Sequence, residues 1–382
     1  MKPATRLGSL GLSLIRRTLA DAPADALSLG LGESGVDVAQ ELRAALLESP
    51  AMVRARYGPN AGQPALRAAI ASRAGVSVAR VIVTVGAQEA LALAILGTVN
   101  SGDDVLVPDP GFPTYASLVR IAGGTPVPVR LPVEEGFRAT VAAYERARTP
   151  KTTLVVLNNP ANPSGALTES GEWRSLAAWA DEHSLPWVSD EIYGALAPGF
   201  VSLAQHSSGG VVVDGLAKSH GLAGWRIGWA IVPDGMAAPL TALHQNLVTS
   251  APPLLQDAAL GAFTDAGDAL TSALVKRLEG ARAEAREVLS AGGWQVAGGD
   301  VGFYLMVRCP VTGQTASRVV ASDDIALCRY LMHQRGVVTI PGSAFGGGGA
   351  GWLRISVATD ANTLQAALTR LCPAPTSADL SR

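Results

Sequence analysis

The chain has 382 residues, 48% of them apolar and 16% charged, with a formal net charge of −2. That length exceeds what one hydrophobic core serves, so two packed units are expected, each with a core of its own. The near-neutral balance, with no long single-sign run and no basic stripe, excludes the electrostatic footprint of a nucleic-acid binder and points to a small-molecule partner.

The first residues are basic and weakly apolar, with Arg6, Arg16 and Arg17 interleaved among Leu10, Leu12, Leu14 and Ile15. They lack the sustained apolar run of a signal peptide or a membrane span, so the stretch reads as an amphipathic first helix of a cytoplasmic protein with no membrane partner. Short Val/Ile-rich runs then alternate with Ala/Leu-rich stretches, the pattern of βα units around a mainly parallel sheet. Strands are predicted at Val81 to Val85, Asp104 to Val107, Leu154 to Leu157, Trp187 to Ser189, Val211 to Val213 and Trp229 to Val232. Helical spacing of apolar residues predicts helices over Gln88 to Thr98, Tyr115 to Ala122 and Glu172 to His183. After Pro252 and Pro253 a long Ala/Leu/Glu/Arg stretch runs to about Ala291 and bridges into a second unit. Its predicted strands are Phe303 to Val307, Val337 to Ile340 and Leu353 to Val357. The expected fold class is α/β, with a large unit over 41–270 and a smaller α+β unit built from 1–40 and 271–382. Cys309, Cys328 and Cys372 are odd in number and widely spaced, unlike a disulfide framework or a zinc site, and read as reduced thiols. The run Gly346 to Gly349 reads as a mobile turn before a strand, and with no Lys-Ser or Lys-Thr after it, it is not a P-loop.

The residues suited to chemistry also follow chain order. Gly86-Ala-Gln-Glu-Ala-Leu ends a strand and opens a helix, so the free amides around Gly86, Ala87 and Gln88 face a would-be anion. That gain is about 0.3–1 kcal/mol per charge near the surface and roughly 2 when partly buried, so other donors are needed. Phe112, in Asp109-Pro-Gly-Phe-Pro, either stacks on a ring or is packing. Asn162 stands in Asn158-Asn-Pro-Ala-Asn-Pro-Ser-Gly, a set of ordinary turn formers from which its side chain could reach a phenolic oxygen. Asp190 ends the buried run Trp187-Val-Ser-Asp, where it either caps a helix or meets a cation such as a protonated pyridine nitrogen. Tyr193, one turn on, could reach the same ring. Lys218 lies in Asp214-Gly-Leu-Ala-Lys-Ser-His-Gly, where a strand ends in a small-residue loop and a lysine can point into a cleft. Arg226, in Gly224-Trp-Arg-Ile-Gly-Trp, suits either a bidentate phosphate contact or an ion pair. Arg354, on a predicted strand behind the glycine run, offers a planar fork for a carboxylate.

In this order the segments resemble the fold type I, class I/II aminotransferases, the aspartate-aminotransferase-like family. The resemblance spans Leu29-Gly-Leu-Gly-Glu to Leu353-Arg-Ile-Ser and includes Tyr57-Gly-Pro, Gly62, Leu66-Arg67, Gly86-Ala-Gln, Asp109-Pro-Gly-Phe-Pro, Asn162-Pro-Ser-Gly, Asp190-Glu-Ile-Tyr, Lys218 with Arg226, and Pro341-Gly-Ser-Ala-Phe-Gly. It implies a sheet of the seven-stranded type, and pyridoxal 5′-phosphate held by Lys218 as a Schiff base, with Lys218 shuttling a proton between substrate Cα and the cofactor. It implies further that Asp190 pairs with the pyridinium nitrogen, that Asn162 and Tyr193 contact the ring oxygen, and that Phe112 stacks on the ring. Gly86, Ala87, Gln88 and Arg226 would hold the phosphate, joined by Tyr57 of a partner subunit, so that a homodimer shares its active sites. Arg354 would grip the substrate α-carboxylate beside Asn162, with Gly32 leaving room. The implied activity is transfer of an amino group between an L-amino acid and a 2-oxo acid, with no metal. No arginine is committed by sequence to a distal carboxylate, so a neutral or aromatic donor is expected.

Two positions depart from the family pattern. Gly215 and Ala217 stand where serines are common, which removes at least one phosphate hydrogen bond, and His220 either packs or reaches the cofactor. The same cofactor residues also serve C–S or β-lyases, decarboxylating synthases, oxidases and cyclases. A pyridoxal-phosphate-binding regulatory module is the more distant alternative, since no basic helix-turn-helix segment precedes residue 30.

Overall fold

The computed structural model describes residues 10–310 and 323–372, together with Lys2, Ala4 and Gly8. Arg6 and the last ten positions of the expected second unit lie outside the described residues. In chain order the strands are β1 (Leu27–Ser28), β2 (Val81–Val85), β3 (Asp104–Asp109), β4 (Thr125–Arg130), β5 (Thr152–Asn158), β6 (Trp187–Asp190), β7 (Gly210–Gly215) and β8 (Ile227–Ile231). They continue with β9 (Gln295–Ala297), β10 (Tyr304–Arg308), β11 (Val337–Val338), β12 (Ile340–Pro341) and β13 (Leu353–Ser356).

Strands β2 to β8 form one seven-stranded sheet in the order β2-β8-β7-β6-β5-β3-β4. Pairing is parallel from β4 across to β7, and β8 runs antiparallel to both β7 and β2. All of β6 and β8 and nearly all of β5 are buried, as a sheet covered on both faces requires. Along β5 the side chains alternate between two apolar layers: Val155 and Leu157 join Leu106, Trp173 and Trp229 on one face, while Leu154 and Val156 join Ile82, Val105 and Val213 on the other. A four-stranded sheet, β12-β13-β10-β9, and the parallel pair β1-β11 carry a third cluster around Phe303, Leu305, Leu331, Leu353 and Ile355. The helix Asp265–Ala291 adds Leu274, Leu278 and Leu289 to that cluster. No helix among the described residues is long and apolar enough to cross a membrane.

The sequence-predicted strands of the large sheet all occur, and four features differ from expectation. Strand β4, Thr-Pro-Val-Pro-Val-Arg, is masked in sequence by Pro126 and Pro128, which lack an N–H and are tolerated because β4 is the edge of the sheet. The expected strand Val337 to Ile340 is divided, β11 pairing with β1 and β12 with β13. The long stretch after Pro252 is broken by a tight turn at Leu260–Phe263, and Thr264 restarts the helix by accepting from the Gly267 amide. The glycine run is docked rather than loose. Its Gly348 amide donates to Asp109 Oδ1 at 2.7 Å, and a Cβ on Gly348 would sit 2.4 Å from the Asp109 carbonyl oxygen, so only glycine allows this approach.

Arg130 meets the other Asp109 oxygen at 3.2 Å, but its side chain is 62% exposed. Asp109→Ala is expected to cost about 1–3 kcal/mol through the orphaned Gly348 amide. Arg130→Ala is expected to cost less than about 1 kcal/mol. Urea unfolding of both variants checks the order, and equal losses would assign the docking to the ion pair.

Candidate active site

The carboxyl ends of β5, β6 and β7 open on a cleft of about 510 Å3, closed on its far side by β13, Tyr304 and the helix Leu14–Ala20. The cleft brings together Gly32, Ala87, Gln88, Phe112, Asn162, Asp190, Tyr193, Lys218, Arg226 and Arg354. Gly86 lies immediately behind, against Arg226. Tyr57 is not brought into it; its side chain is 87% exposed elsewhere on the surface.

Asp190 occupies the last position of β6 and is buried. Its Oδ2 accepts from the Tyr115 hydroxyl at 2.7 Å and its Oδ1 from the Ile192 amide at 3.2 Å. Among the described residues no cationic group lies within ion-pair distance of it. Burial raises its pKa above the ordinary carboxylate value, opposed by the Tyr115 and Ile192 hydrogen bonds and the Lys218 charge. Neighbouring Asn158, at the end of β5, donates to the Asp190 carbonyl at 2.9 Å and accepts from the Asn162 amide at 2.8 Å, so one side chain ties the Asn162 turn to β6.

Lys218 lies in the short helical turn Leu216–Ser219 that follows β7. Its Nζ donates to the Gly32 carbonyl at 2.6 Å and stands 5.9 Å from the ring centres of Tyr193 and Phe303. A Cβ on Gly32 would lie 1.7 Å from the Tyr304 hydroxyl, so glycine there is a steric requirement. Tyr193 donates to Tyr304 across 3.0 Å. Burial raises Tyr193; burial would raise Tyr304 too, but the Arg354 and Lys218 charges and the Tyr193 hydrogen bond outweigh it and its pKa falls.

At the opposite end, Gly86 precedes the helix Ala87–Leu96 with φ of 78°. A Cβ there would lie 2.5 Å from the Arg226 guanidinium. Arg226 itself adopts the left-handed conformation, φ 58°, unusual for a side-chain-bearing residue and costing on the order of 1–3 kcal/mol. The result is a guanidinium laid across the start of a helix whose first amides are free, a cradle for an anion. A Cβ on Gly215 would meet the Ile227 carbonyl oxygen at 2.8 Å, so a serine has no room at that position, whereas Ala217 faces the cleft.

Arg354, on β13, is buried with its guanidinium 4.2 Å from the Tyr304 ring centre and 4.7 Å from that of Phe345. It donates to Asn162 Oδ1 at 3.0 Å and to the Gly30 carbonyl at 2.7 Å, and its Nε has no partner among the described residues. No described carboxylate lies within ion-pair distance of it, so it is free to take an anionic ligand. The sequence does not by itself mark Tyr115, Tyr304 or Phe345 as residues of this site. Tyr115, six positions past Asp109 at the start of a helix, was the most findable of them.

His220 does not line the cleft. Its Nδ1 lies 2.8 Å from Ser219 Oγ and its Nε2 3.4 Å from Thr271 Oγ1, so the packing alternative holds. Burial, with the Arg73 charge, lowers its pKa from 6.5 to about 4. Glu191 accepts from Ser189 Oγ at 2.8 Å and the Leu203 amide at 3.0 Å, and burial raises it from 4.5 to about 7.

A cleft with these donors is of the kind that holds an anionic aromatic cofactor beside an amine. Residues 24–371 match the sequence profile of the family described as aminotransferase class I and II. The chain is 32% identical over 363 residues to an aspartate/prephenate aminotransferase of Thermus thermophilus, covering 91% of this chain and 90% of that one. It is 28% identical over 387 residues to aromatic-amino-acid aminotransferase 2 of Thermococcus litoralis, covering 97% of each. The solved structure of Thermus thermophilus aspartate aminotransferase with maleate superposes with a TM-score of 0.89 at 29% identity, covering 97% of this chain and 99% of that one. The chain belongs to the class I and II aminotransferases. It is a pyridoxal 5′-phosphate-dependent aminotransferase, and the residues present fit that cofactor: a buried carboxylate without a cation and an anion cradle border one cleft with a lysine amine.

Glu191 keeps its proton in the folded chain after the unfolded chain has lost it, so its contribution to stability is complete below 4.5 and is lost as pH rises to about 7. His220 resists protonation when folded, so its contribution is complete above 6.5 and is lost as pH falls to about 4. Glu191→Gln is therefore expected to gain in melting temperature over the wild type as pH rises from about 5 to about 8, and His220→Gln to gain as pH falls from about 7 to about 5. Melting curves across that range check both, and an offset independent of pH in either variant would dissociate that residue from the titration.

Proposed function

We propose that the enzyme moves the amino group of a neutral or aromatic L-amino acid to a 2-oxo acid, with Lys218 as the covalent anchor of the cofactor and as the proton carrier. One observation carries the reading: Asp190, buried without a described cation, and Arg354, buried without a described carboxylate, line the same cleft as the Lys218 amine. When bound, the cofactor supplies an electron-withdrawing ring that makes the substrate Cα–H acidic. Asp190, oriented by Tyr115, would hold a proton on the ring nitrogen. Asn162, whose carbonyl oxygen is occupied by Arg354, has its amide hydrogens left to donate to the ring oxygen, with Tyr193 beside it. Phe112 would stack on the ring, and Gly86, Ala87, Gln88 and Arg226 would hold the phosphate without a hydroxyl from 215 or 217. Arg354 would exchange its Asn162 and Gly30 contacts for a two-pronged grip on the substrate α-carboxylate, orienting Cα–H toward the Lys218 amine. A gripped carboxylate disfavours decarboxylation, and a mobile amine returns the proton.

The aromatic or neutral donor is supported by the apolar and aromatic part of the cleft wall, which includes Ile15, Leu19, Leu31, Phe112, Tyr115 and Tyr304. A dicarboxylate donor is favoured by one observation, that Arg16 also lines the mouth. We further infer a cytoplasmic homodimer, with 41–270 as the cofactor-binding unit and both chain ends forming the other. Supporting the dimer, Met52, Val53, Tyr57, Leu247 and Val248 are exposed apolar residues, and their two segments are joined by Asn60 Nδ2 donating to the Thr249 carbonyl at 2.8 Å.

Borohydride reduction of the holoenzyme followed by peptide mapping is expected to place the label on Lys218, and label on any other lysine refutes the anchor. Loss of two charge-assisted hydrogen bonds in Arg354→Ala is expected to lower kcat/KM on the order of 100-fold or more, with cofactor affinity little changed. A panel of leucine, phenylalanine, methionine and aspartate, run with wild type and Arg16→Ala, decides the donor; strong aspartate activity lost with Arg16 would establish the dicarboxylate reading. For the shared site, mixing inactive Tyr57→Ala and Lys218→Ala chains is expected to restore up to about a quarter of the activity, since one of the hybrid's sites is intact; no recovery on subunit exchange would place Tyr57 outside the partner's cleft.

A further inference from the structure

His244, on the helix Ala237–Val248, is wholly buried and serves none of the roles above. Its Nδ1 lies 2.8 Å from Oε1 of Glu89, and its Nε2 has no hydrogen-bond partner among the described residues. A histidine with one nitrogen left unsatisfied in the interior is costly, so the bond made by the other nitrogen needs a reason.

Glu89 supplies it. It stands in the first turn of Ala87–Leu96, the turn whose amides face the cleft, and its Oε2 accepts from the Val85 amide at 2.5 Å. The Val85 carbonyl is approached from the other side by Arg226 at 3.5 Å, and Thr84 Oγ1 donates to the Gly86 carbonyl at 3.0 Å. The backbone entering the anion cradle is thus held from within by Glu89 and from without by Arg226. A carboxylate in a first helical turn suits the helix dipole, but free to turn outward it would compete with an incoming phosphate for the same amides. The imidazole keeps Glu89 turned inward.

We propose that His244 is a positioning residue for the cofactor phosphate: by holding Glu89 against Val85 it keeps the Ala87 and Gln88 amides in place and free of a competing carboxylate, the Gly86 amide being taken by the Thr84 carbonyl at 2.8 Å. The inference rests on the reading of Gly86–Gln88 and Arg226 as the phosphate cradle. The test compares dissociation constants of pyridoxal 5′-phosphate and of pyridoxal, which lacks the phosphate, measured on the full-length enzyme by equilibrium dialysis. Loss of a charge-assisted hydrogen bond corresponds to about tenfold to a hundredfold in a binding constant. His244→Leu is expected to weaken pyridoxal 5′-phosphate by that factor while pyridoxal binding changes by less than about twofold. His244→Asn, which can place an amide N–H where Nδ1 stands, is expected to restore most of the loss. Should the leucine variant not fold, His244→Phe keeps the ring shape without the donor and is read the same way. Equal weakening of both ligands, or none of either, overturns the proposal, because a packing role would not distinguish them. Arg226→Ala separates the two levels: if it discriminates between the ligands and His244→Leu does not, only the role of His244 fails, and if neither discriminates, the phosphate cradle fails with it.

Discussion

Two opposite charges buried in one cleft and kept from neutralising each other set much of what this fold must accomplish. Asp190 and Arg354 are both nearly inaccessible, and an uncompensated buried charge costs several kcal/mol in effective terms. Direct pairing would relieve both. It is prevented because β6 belongs to the seven-stranded sheet and β13 to the four-stranded one, and because each charge is tethered to neutral groups of its own surroundings. The cleft therefore keeps its attraction for a cation at one place and an anion at another.

Neutral groups make that separation tolerable. The Arg354 guanidinium lies against the rings of Tyr304 and Phe345, so part of its lost hydration is replaced by aromatic faces. Tyr304 in turn presses its hydroxyl where a side chain at 32 would be, accepts from Tyr193, and is tuned downward by the charges of Arg354 and Lys218. Gly32, Lys218, Tyr193, Tyr304 and Arg354 are consequently interdependent: the glycine leaves space for the tyrosine, whose ring supports the arginine, while the glycine carbonyl receives the lysine.

The legible part of the sequence was the part written in short-range signals. The central strands announced themselves as apolar runs, and Lys218, Asp190, Asn162 and Arg226 stood at strand ends with turn-forming neighbours. What stayed hidden depended on partners distant in sequence. β4 carries two prolines that only its edge position excuses. Tyr304 sits in an ordinary strand pattern, and its importance arises from Gly32, far away in the chain. The glycine run looked loose because glycine commonly marks flexibility, whereas here its absent side chains allow close packing on Asp109. Gly215 looked like a missing serine, and the backbone of β8 shows why none fits.

The same division separates the floor of the cleft from its mouth. The charges at the floor of the cleft are placed by strand ends, whose positions are fixed by ladders on both sides, so little freedom remains in where Asp190 or Arg354 can be. The mouth is built differently. Ile15, Arg16 and Leu19 reach it from a helix of seven residues capped by Ser13, beside Leu31 and Glu33 from the segment that follows β1. A short helix with few ladder constraints can shift or change side chains without disturbing the sheets, so the mouth can vary while the floor stays as it is. Arg16 and Glu33 place both signs of charge there among the apolar Ile15, Leu19 and Leu31.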